Sequence, residues 1–437
     1  MHKKNAVQRL CCNALLGLIL GCLSLSSYAL TIEDAWQAAK YYDPAYQQSQ
    51  LDEQISETEV RSNRSALLPS AEITASSDWN DNSSNGSNNT NSYGLSLNQT
   101  IWDSSKWSAL GQSQAAFIAT QLKFKQSHND LAAHLINAYL DLAQSQGDLR
   151  LAQQKFAEGT KMLHITEQRY KAGAIHSTAL EDMRANHVDE RAEILANQSN
   201  VADKKAVLIA LINLAPNTVD EIDTTNLQPP TLIVNSESGW LKLANDNSPE
   251  LLAAKQNIRV VEFESEQAKA GYYPTLTGSV GYSGSNNSNN SNSSDDALNA
   301  RLNLSVPLDL NGSTRANVDR AKLRVKRVRE EARAVEIRIN STISNRYTQL
   351  SIDWQRIVIA QQQVESRQRS LKTKQVVYDA GLTDASDVID AHNRLFGSKN
   401  ALQSRFYQYW QHRISLLKSV GKLDNNTIAL ISQALQS

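Results

Sequence analysis

The sequence contains one unit twice, and this internal repeat constrains the fold more than any other feature. Asp43-Pro44 recurs as Ser248-Pro249, 205 residues later. Arg169-Tyr-Lys-Ala-Gly173 recurs as Val377-Tyr-Asp-Ala-Gly381, 208 residues later. Because self-similarity at a fixed offset indicates a repeated structural unit, two similar halves are expected. These halves are residues 30–240 and 241–421.

A shorter period lies inside each half, where apolar side chains recur every seven residues. The members are Leu135, Leu142, Leu149, Phe156, Leu163 and Tyr170, then Ile343, Leu350, Ile357, Val364, Leu371 and Tyr378. This spacing, sustained over about five heptads, predicts helices wound as a left-handed coiled coil in which Tyr170 packs against a neighbour. The longest helices would run roughly 100 Å, enough to cross a periplasm. The expected helices are 32–66, 104–170, 178–213, 248–271, 313–377 and 384–420.

Between these helices the apolar period changes from seven residues to two. The alternation predicts strands at 70–79, 93–102, 275–283 and 297–308, each with one apolar and one polar face. Strands of about ten residues have the length of tilted strands that cross an outer membrane. A soluble antiparallel sheet packed on a helix is the alternative.

Four membrane strands cannot close a barrel, because open edges in lipid leave backbone groups unpaired. The chain is therefore expected to oligomerise. A dimer is one solution, and a trimer of twelve strands gives a wider lumen. Each strand pair is joined by a loop rich in Asn, Ser and Gly, at 80–91 and 284–296, which has no core-forming residues.

The first 29 residues have the pattern of a secretory signal peptide. Basic residues precede a short apolar run, and Ser27-Tyr28-Ala29 places small residues at the cleavage positions, so the mature chain is expected to begin at Leu30. In the alternative, Ile19-Leu20-Gly21-Cys22 is a lipoprotein box and Cys22 is acylated. All three cysteines precede Leu30, so neither disulfide nor thiolate chemistry is expected in the mature chain.

Charge and composition exclude several classes of function. Lys plus Arg is 44 and Asp plus Glu is 45, with no basic stripe, which argues against a nucleic-acid-binding protein. After Leu30 no apolar run approaches 18 residues, so a helical membrane protein is not expected. The eight histidines show no metal-ligand spacing and no Gly-rich phosphate loop is present, so no enzyme activity, cofactor or metal is predicted.

The order and spacing of several short motifs resemble the TolC group of outer-membrane efflux proteins over essentially the whole mature chain. The motifs are Leu67-Leu-Pro69, Ile101-Trp-Asp-Ser-Ser-Lys-Trp107, Tyr273-Pro-Thr275, the two Tyr-x-x-Gly turns and Asp387-Val-Ile-Asp390. The resemblance implies an α+β membrane protein: a homotrimer with a twelve-stranded outer-membrane β-barrel, a periplasmic tunnel of coiled-coil helices and an equatorial belt. We expect the belt at 214–246 and 422–437.

The same resemblance implies an exit duct. It would dock to an inner-membrane pump of RND, MFS or ABC type through a periplasmic adaptor, for drug efflux or type I protein secretion. The alternative from a different class is a non-transporting structural or adhesive coiled coil of the periplasm or cell surface, which explains the heptads but not the strands.

The resemblance assigns Asp387 and Asp390 to a selectivity ring at the periplasmic entrance. Standing three residues apart, they share one helix face, and in a trimer their mutual repulsion would raise the pKa of some of them. The alternative is helix capping, with Asp384 or Thr383 as N-cap and Asp387 in the first turn, as Thr178 would do in the first half.

In the resembling family the entrance is closed by bonds among a tyrosine, an arginine, a threonine and an aspartate. Tyr378 and Thr178 match, whereas Thr383 stands in place of the arginine and Ala179 in place of the aspartate. A neutral threonine cannot form the ion pair of an arginine, so the closed state would be weaker or held by groups such as Asp384.

Two further sets of residues have expected roles. The turn residues Gly173, Ala174, Gly381 and Leu382 are adaptor contacts by resemblance, although a tight reversal alone explains the glycines. Trp79, Trp102 and Tyr282 are expected near strand ends, where amphipathic rings suit the lipid headgroup layer.

Overall fold

The computed structural model describes residues 30–82, 86–222, 232–287 and 294–436. The expected signal peptide with Cys22, parts of both polar loops and residues 223–231 and 437 lie outside this range. In chain order the elements are α1 (Ile32–Tyr42), α2 (Pro44–Ser65), β1 (Ser70–Asn82), β2 (Gly86–Trp102), α3 (Ser104–Lys171), α4 (Ser177–Ile212), α5 (Glu237–Asn247), α6 (Pro249–Lys269), β3 (Thr275–Asn287), β4 (Ser294–Ser305), α7 (Ser313–Asp379), α8 (Ala385–Ser419) and α9 (Asn425–Gln436).

The four strands form one antiparallel sheet in the order β1-β2-β3-β4. Ile73 pairs with Leu95, Leu95 with Tyr282 and Tyr282 with Leu298, so one apolar row crosses all four strands. Successive side chains of a strand point to opposite faces, so the polar residues between these positions share the other face. The apolar face is uncovered in the chain, since Ile73 is 83% exposed and Leu298 is 76% exposed.

The long helices pack side by side below the sheet. Helix α3 contacts α2 and α6 along one part and α4 and α8 along another, while α7 contacts α6 and α8. At about 1.5 Å per residue the 68 residues of α3 span roughly 100 Å. The heptad positions Ile343, Leu350, Ile357 and Leu371 of α7 are buried and Val364 is half-buried. Tyr170 at the end of α3 is 44% exposed, so its expected packing is incomplete within one chain.

The expected helix at 32–66 is two helices, because Asp43 leaves the helical region with ψ of 117°. A residue before proline is sterically biased away from helix, and Pro44 then opens α2, with Asp43 Oδ1 accepting from the Tyr46 amide at 2.7 Å. Ser248 before Pro249 has ψ of 114° and separates α5 from α6 in the same way.

The largest core surrounds the middle of α3, where the described parts of the expected belt meet α1. Trp36, Tyr139, Trp240 and Tyr407 are each at most 2% exposed. The Tyr139 hydroxyl donates to the Leu30 carbonyl at 2.7 Å and accepts from the Asp220 amide at 2.9 Å. Burial of these rings with their polar ends satisfied fixes the belt segments on the long helices.

None of the helices in the described ranges has an apolar stretch sufficient to cross a bilayer.

Candidate functional site at the helical turn end

The site lies where the two long hairpins reverse direction, α3 to α4 and α7 to α8. We call residues 172–176 and 380–384 the turn end. Gly173 has φ of 71° and Gly381 has φ of 72°. A Cβ on either glycine would meet nothing within 4 Å, so the left-handed backbone, not crowding, requires glycine here.

Both turns close their helices with the same hydrogen bonds. The Ala174 amide donates to the Arg169 carbonyl at 2.9 Å, and the Leu382 amide donates to the Val377 carbonyl at 3.1 Å. This is the six-to-one bond of a Schellman motif. It leaves Ala174 exposed and Leu382 79% exposed at the tips, where a partner protein could reach them.

Arg169 joins the two turns across the internal repeat. Its Nη1 donates to the Tyr378 carbonyl at 2.9 Å, and its Nη2 donates to Asp379 Oδ1 at 2.9 Å. Its guanidinium also lies over the Tyr378 ring, 4.7 Å from the centroid. The sequence motifs contain Arg169, but the pattern did not single it out, because Val377 occupies the matching position of the second half.

The structure brings the predicted entrance residues into one cleft. Its lining includes Arg169, Thr178, Ala179, Tyr378, Thr383 and Asp384. The Tyr378 side chain is 8% exposed, and its hydroxyl has no hydrogen-bond partner among the described residues. Within one chain, therefore, Tyr378 contacts Arg169 through its ring and carbonyl, not through its hydroxyl.

Asp387 is held by two donors. Lys374 Nζ donates to Oδ1 and the Thr383 hydroxyl donates to Oδ2. The hydrogen bond from Lys374, then that from Thr383, and then the Lys374 charge lower the pKa of Asp387 from its ordinary value. Within one chain the pKa of Asp387 is thus lowered, and a raised pKa from repulsion between copies in a trimer stays a prediction.

Asp390 also faces a cation, although a more exposed one. Arg394 Nη2 lies 3.3 Å from Asp390 Oδ2, and both side chains are more than 60% exposed. A surface pair of this kind contributes little to stability, so Asp390 keeps a largely solvated charge. The two carboxylates of the predicted ring thus have partners of different strength.

The capping alternative is only partly consistent with the helix ends. Asp384 occupies the N-cap position of α8 and Asp387 lies in the first turn, but the Asp384 side chain makes no capping hydrogen bond. In the first half the N-cap of α4 is His176, so the capping role considered for Thr178 is wrong.

The predicted aromatic residues are all exposed on the sheet. Trp79 is 70% exposed, and Trp102, the last residue of β2, is 53% exposed. Tyr282 lies inside β3, because this strand continues to Asn287, and its ring is 6.4 Å from that of Tyr93. The expectation that Tyr282 stands at a strand end is therefore wrong.

Within the ranges the structure describes, no group of three or more His, Cys, Asp or Glu side chains is arranged to hold a metal ion.

The family model described as "Outer membrane efflux protein" matches residues 36–214 and 240–422. These two ranges correspond to the two halves of the repeat.

Two curated relatives match nearly the full chain. The outer membrane protein TolC of Escherichia coli (strain K12) is 25% identical over 96% of this chain and 88% of its own length. The alkaline protease secretion protein AprF of Pseudomonas aeruginosa is 22% identical over 96% of this chain and 90% of its own length.

The fold also matches a solved structure. The crystal structure of the outer membrane protein VceC of Vibrio cholerae superposes with a TM-score of 0.77. The match covers 89% of this chain and 96% of that chain at 17% identity.

Proposed function

This chain belongs to the outer membrane efflux protein family, and on that premise we propose that it forms the exit duct of a tripartite efflux or type I secretion system. The duct lies in the outer membrane and extends into the periplasm. It passes drugs or secreted proteins from an inner-membrane pump to the exterior.

The observation that carries this function is the uncovered apolar face of the sheet. Leu298, Leu302 and Leu304 on β4 are each more than 60% exposed in the chain, and within the described ranges β1 and β4 have no further strand beside them. An apolar sheet with open edges persists only when lipid covers the face and other strands pair with the edges. Three copies supply twelve strands, within the range of bacterial barrels.

The opposite face supports a water-filled lumen. On this face Glu72, Ser96, Ser279 and Arg301 alternate with the apolar residues of the same strands. Polar inward and apolar outward positions are the pattern of outer-membrane channels. The long helices then continue the lumen toward the turn end.

The turn end is proposed as the periplasmic entrance and the docking point of an adaptor protein. Asp387 and Asp390 lie on α8 just beyond the second turn, so three copies would bring six carboxylates to one mouth. A pump of RND, MFS or ABC type would deliver cargo there. Arg169 replaces the arginine that is missing at Thr383, by holding the second turn from the first.

The test is ion conductance of the purified trimer in planar lipid bilayers. We expect discrete conductance steps, and heat-modifiable migration of the protein extracted from outer membranes. A detergent-extracted chain that sediments as a monomer and never conducts would contradict the proposal. A soluble coiled coil recovered from the periplasm would support the structural alternative instead.

A further inference from the structure

A partly buried group of ionisable side chains lies at the junction of three helices, away from the turn end. We call it the Glu–His cluster: Glu158 of α3, His187 and Glu190 of α4, and His392 of α8. Glu190 and His392 are each 1% exposed. Burying a carboxylate in a helix interface costs free energy unless a cation or several donors compensate it.

The compensation within the cluster is incomplete. Glu190 Oε1 accepts from the Asn186 side chain at 2.8 Å, but Glu190 Oε2 has no hydrogen-bond partner among the described residues. Both ring nitrogens of His392 and Nδ1 of His187 also lack partners. Buried polar atoms without a hydrogen-bond partner are uncommon in folded proteins, so these atoms need an explanation.

His392 lies between the two carboxylates. Its Nδ1 is 3.5 Å from Glu190 Oε1 and its Nε2 is 3.4 Å from Glu158 Oε2. A neutral imidazole carries one N–H and can donate to only one of the two, whereas an imidazolium donates to both. A single proton on His392 would therefore join α8 to both α3 and α4.

Gly159 shows that the chain makes room for the buried carboxylate. A Cβ at this position would lie 2.0 Å from Glu190 Oε2. Glycine inside a helix costs about 1 kcal/mol relative to alanine. Because Gly159 has no side chain, the Glu190 carboxylate can lie against the backbone of the 68-residue helix α3.

The charged groups around the cluster leave histidine as its source of positive charge. Lys155 of α3 is paired with Glu193 of α4 at 2.8 Å, and Lys399 of α8 lies over the Phe396 ring. His187 Nδ1 is 3.7 Å from Glu190 Oε2, and its ring stacks on Phe156. In the described part of the chain, α7 places no cation within ion-pair distance of either glutamate.

We propose that the Glu–His cluster is a proton-binding site that fastens the α7–α8 coiled coil to the α3–α4 coiled coil when the periplasm becomes acidic. Histidine is the side chain whose charge ordinarily changes between about pH 5 and 8. Glu158 is 48% exposed, so one side of the cluster is open to solvent protons.

The direction of the effect follows from where the proton binds. The proton gains two carboxylate partners only when the two coiled coils are packed as in the structure, so acid stabilises this packing and the stabilisation is lost as the pH rises. The inference rests on the proposed function in one respect: opening of the duct entrance must move the α7–α8 coiled coil away from the α3–α4 coiled coil. Acid then favours the narrow entrance.

The experiment measures two properties of the full-length trimer at about pH 5.5 and about pH 7.5. The first is resting conductance in planar bilayers, expected to be about fivefold lower in acid, a typical size for coupling between sites. The second is the midpoint of thermal unfolding in detergent, which does not require conduction. His392→Gln should remove most of the pH response of the conductance and lower that of the unfolding midpoint, whose remainder comes from other groups such as Asp148. His187→Gln, a milder change at a partly exposed ring, should lower both responses less.

His164→Gln is the matched control, because His164 is an exposed histidine of α3 between the cluster and the turn end. It should leave both pH responses unchanged. An unfolding midpoint whose pH response is the same in wild type, His392→Gln and His187→Gln would overturn the proposal. A trimer that shows the predicted unfolding response but never conducts would retain the proton site and refute the duct.

Discussion

The guanidinium of Arg169 lies over the ring of Tyr378, 4.7 Å from its centroid, and donates to the Tyr378 carbonyl at 2.9 Å. The two residues belong to different halves of the repeat, and the positions that correspond to them are Val377 and Tyr170. Arg169 thus binds a carbonyl in the last turn of α7, where helical carbonyls lack partners within the helix, and this carbonyl also accepts from the Gly381 amide at 3.0 Å. One half of the repeat thus holds the other, and Val377, at the matching position of the second half, cannot make the reverse contact.

We predict that Arg169→Ala makes the resting duct leakier. The change removes the cation–π contact, the hydrogen bond to the Tyr378 carbonyl and the ion pair with Asp379, of which the part-buried carbonyl bond matters most. A loss of about 1.4 kcal/mol corresponds to about a tenfold shift toward open states. Single-channel recording of closed-state conductance measures it.

Arg169→Lys is the informative comparison, because lysine keeps the charge but not the planar fork. It should leak nearly as much as Arg169→Ala. Arg184→Ala removes an exposed arginine of α4 and serves as the control. Equal resting conductance in Arg169→Ala and the wild type would show that the contacts of Arg169 with Tyr378 and Asp379 do not restrain the entrance.

Sequence patterns predicted the architecture because helix and strand periods are local properties. The change of the apolar period from seven residues to two predicted strands that begin near residues 70 and 275, and β1 and β3 begin at Ser70 and Thr275. The strands extend farther into the polar loops than expected, with Asn82 paired to Gly86, since ladder hydrogen bonds use the backbone and tolerate Asn, Ser and Gly side chains. At its other end β4 stops at Ser305, before the expected 308.

The contacts of the site could not be predicted in the same way. Arg169 and Tyr378 are 209 residues apart, and a repeat offset does not state which faces of the two halves meet. Glu190 and His392 are likewise brought together by packing of α4 on α8. Lys374 of α7 pairs with Asp387 of α8 across the turn that joins the two helices. The apolar period within either helix does not predict such a pair.

A second prediction concerns the family's ion pair, which Thr383 and Ala179 remove. Both residues line the cleft at the turn end. The double variant Thr383→Arg with Ala179→Asp should lower the resting conductance below that of the wild type, because it adds an ion pair to the contacts that Arg169 makes with Tyr378 and Asp379. Thr383→Arg alone is the control: it lacks the carboxylate at position 179 and loses the Thr383 hydrogen bond to Asp387, so its effect should be smaller. Unchanged conductance in the double variant would argue against a weakened lock.

A third prediction is that Lys374 sets the charge of the entrance. Lys374→Met leaves Asp387 without its cation and should increase the preference for cations, whereas Asp387→Ala with Asp390→Ala should decrease it and weaken block by multivalent cations. Reversal potentials in a salt gradient give both values. Ion selectivity that does not respond to either variant would exclude a carboxylate ring at the mouth.

The pH dependence of this selectivity follows from the lowered pKa of Asp387. A depressed folded-state pKa means that the carboxylate stays ionised above its unfolded value of about 3.9 and is protonated only in stronger acid. The contribution of Asp387 to cation preference should therefore persist from neutral pH to about pH 4 and fall below it. In Lys374→Met the fall should begin at higher pH.

A fourth prediction separates a lipid-facing sheet from a soluble one. Leu302 lies on the apolar face of β4 and is 69% exposed, while its neighbour Asn303 lies on the polar face. Leu302→Lys should reduce assembly of trimers in the outer membrane, because a lysine facing lipid costs about 2–4 kcal/mol near the midplane. Asn303→Lys is the matched control and should assemble normally. Equal assembly of the two would indicate that this face contacts water.

The fifth prediction uses Asp148 of α3, whose pKa burial raises to about 6, with a smaller contribution from the Glu221 charge. The folded state then binds a proton more tightly than the unfolded state, so this contribution to stability is complete below about pH 3.9 and is lost as the pH rises through about 6. Asp148→Asn removes the buried charge but keeps an oxygen to accept from the Gln403 side chain.

We expect Asp148→Asn to be more stable than the wild type at about pH 8 by about 1–2 kcal/mol per chain, a value reduced from the full pKa shift because the side chain is partly exposed. The gain should shrink as the pH approaches about 4, where the wild-type carboxyl is also neutral. Thermal unfolding of the trimer in detergent across this range measures it. Asp189→Asn, at an exposed aspartate of α4, is the control and should shift little at any pH. A gain that is the same at about pH 4 and pH 8 would arise from packing, not from the charge of Asp148.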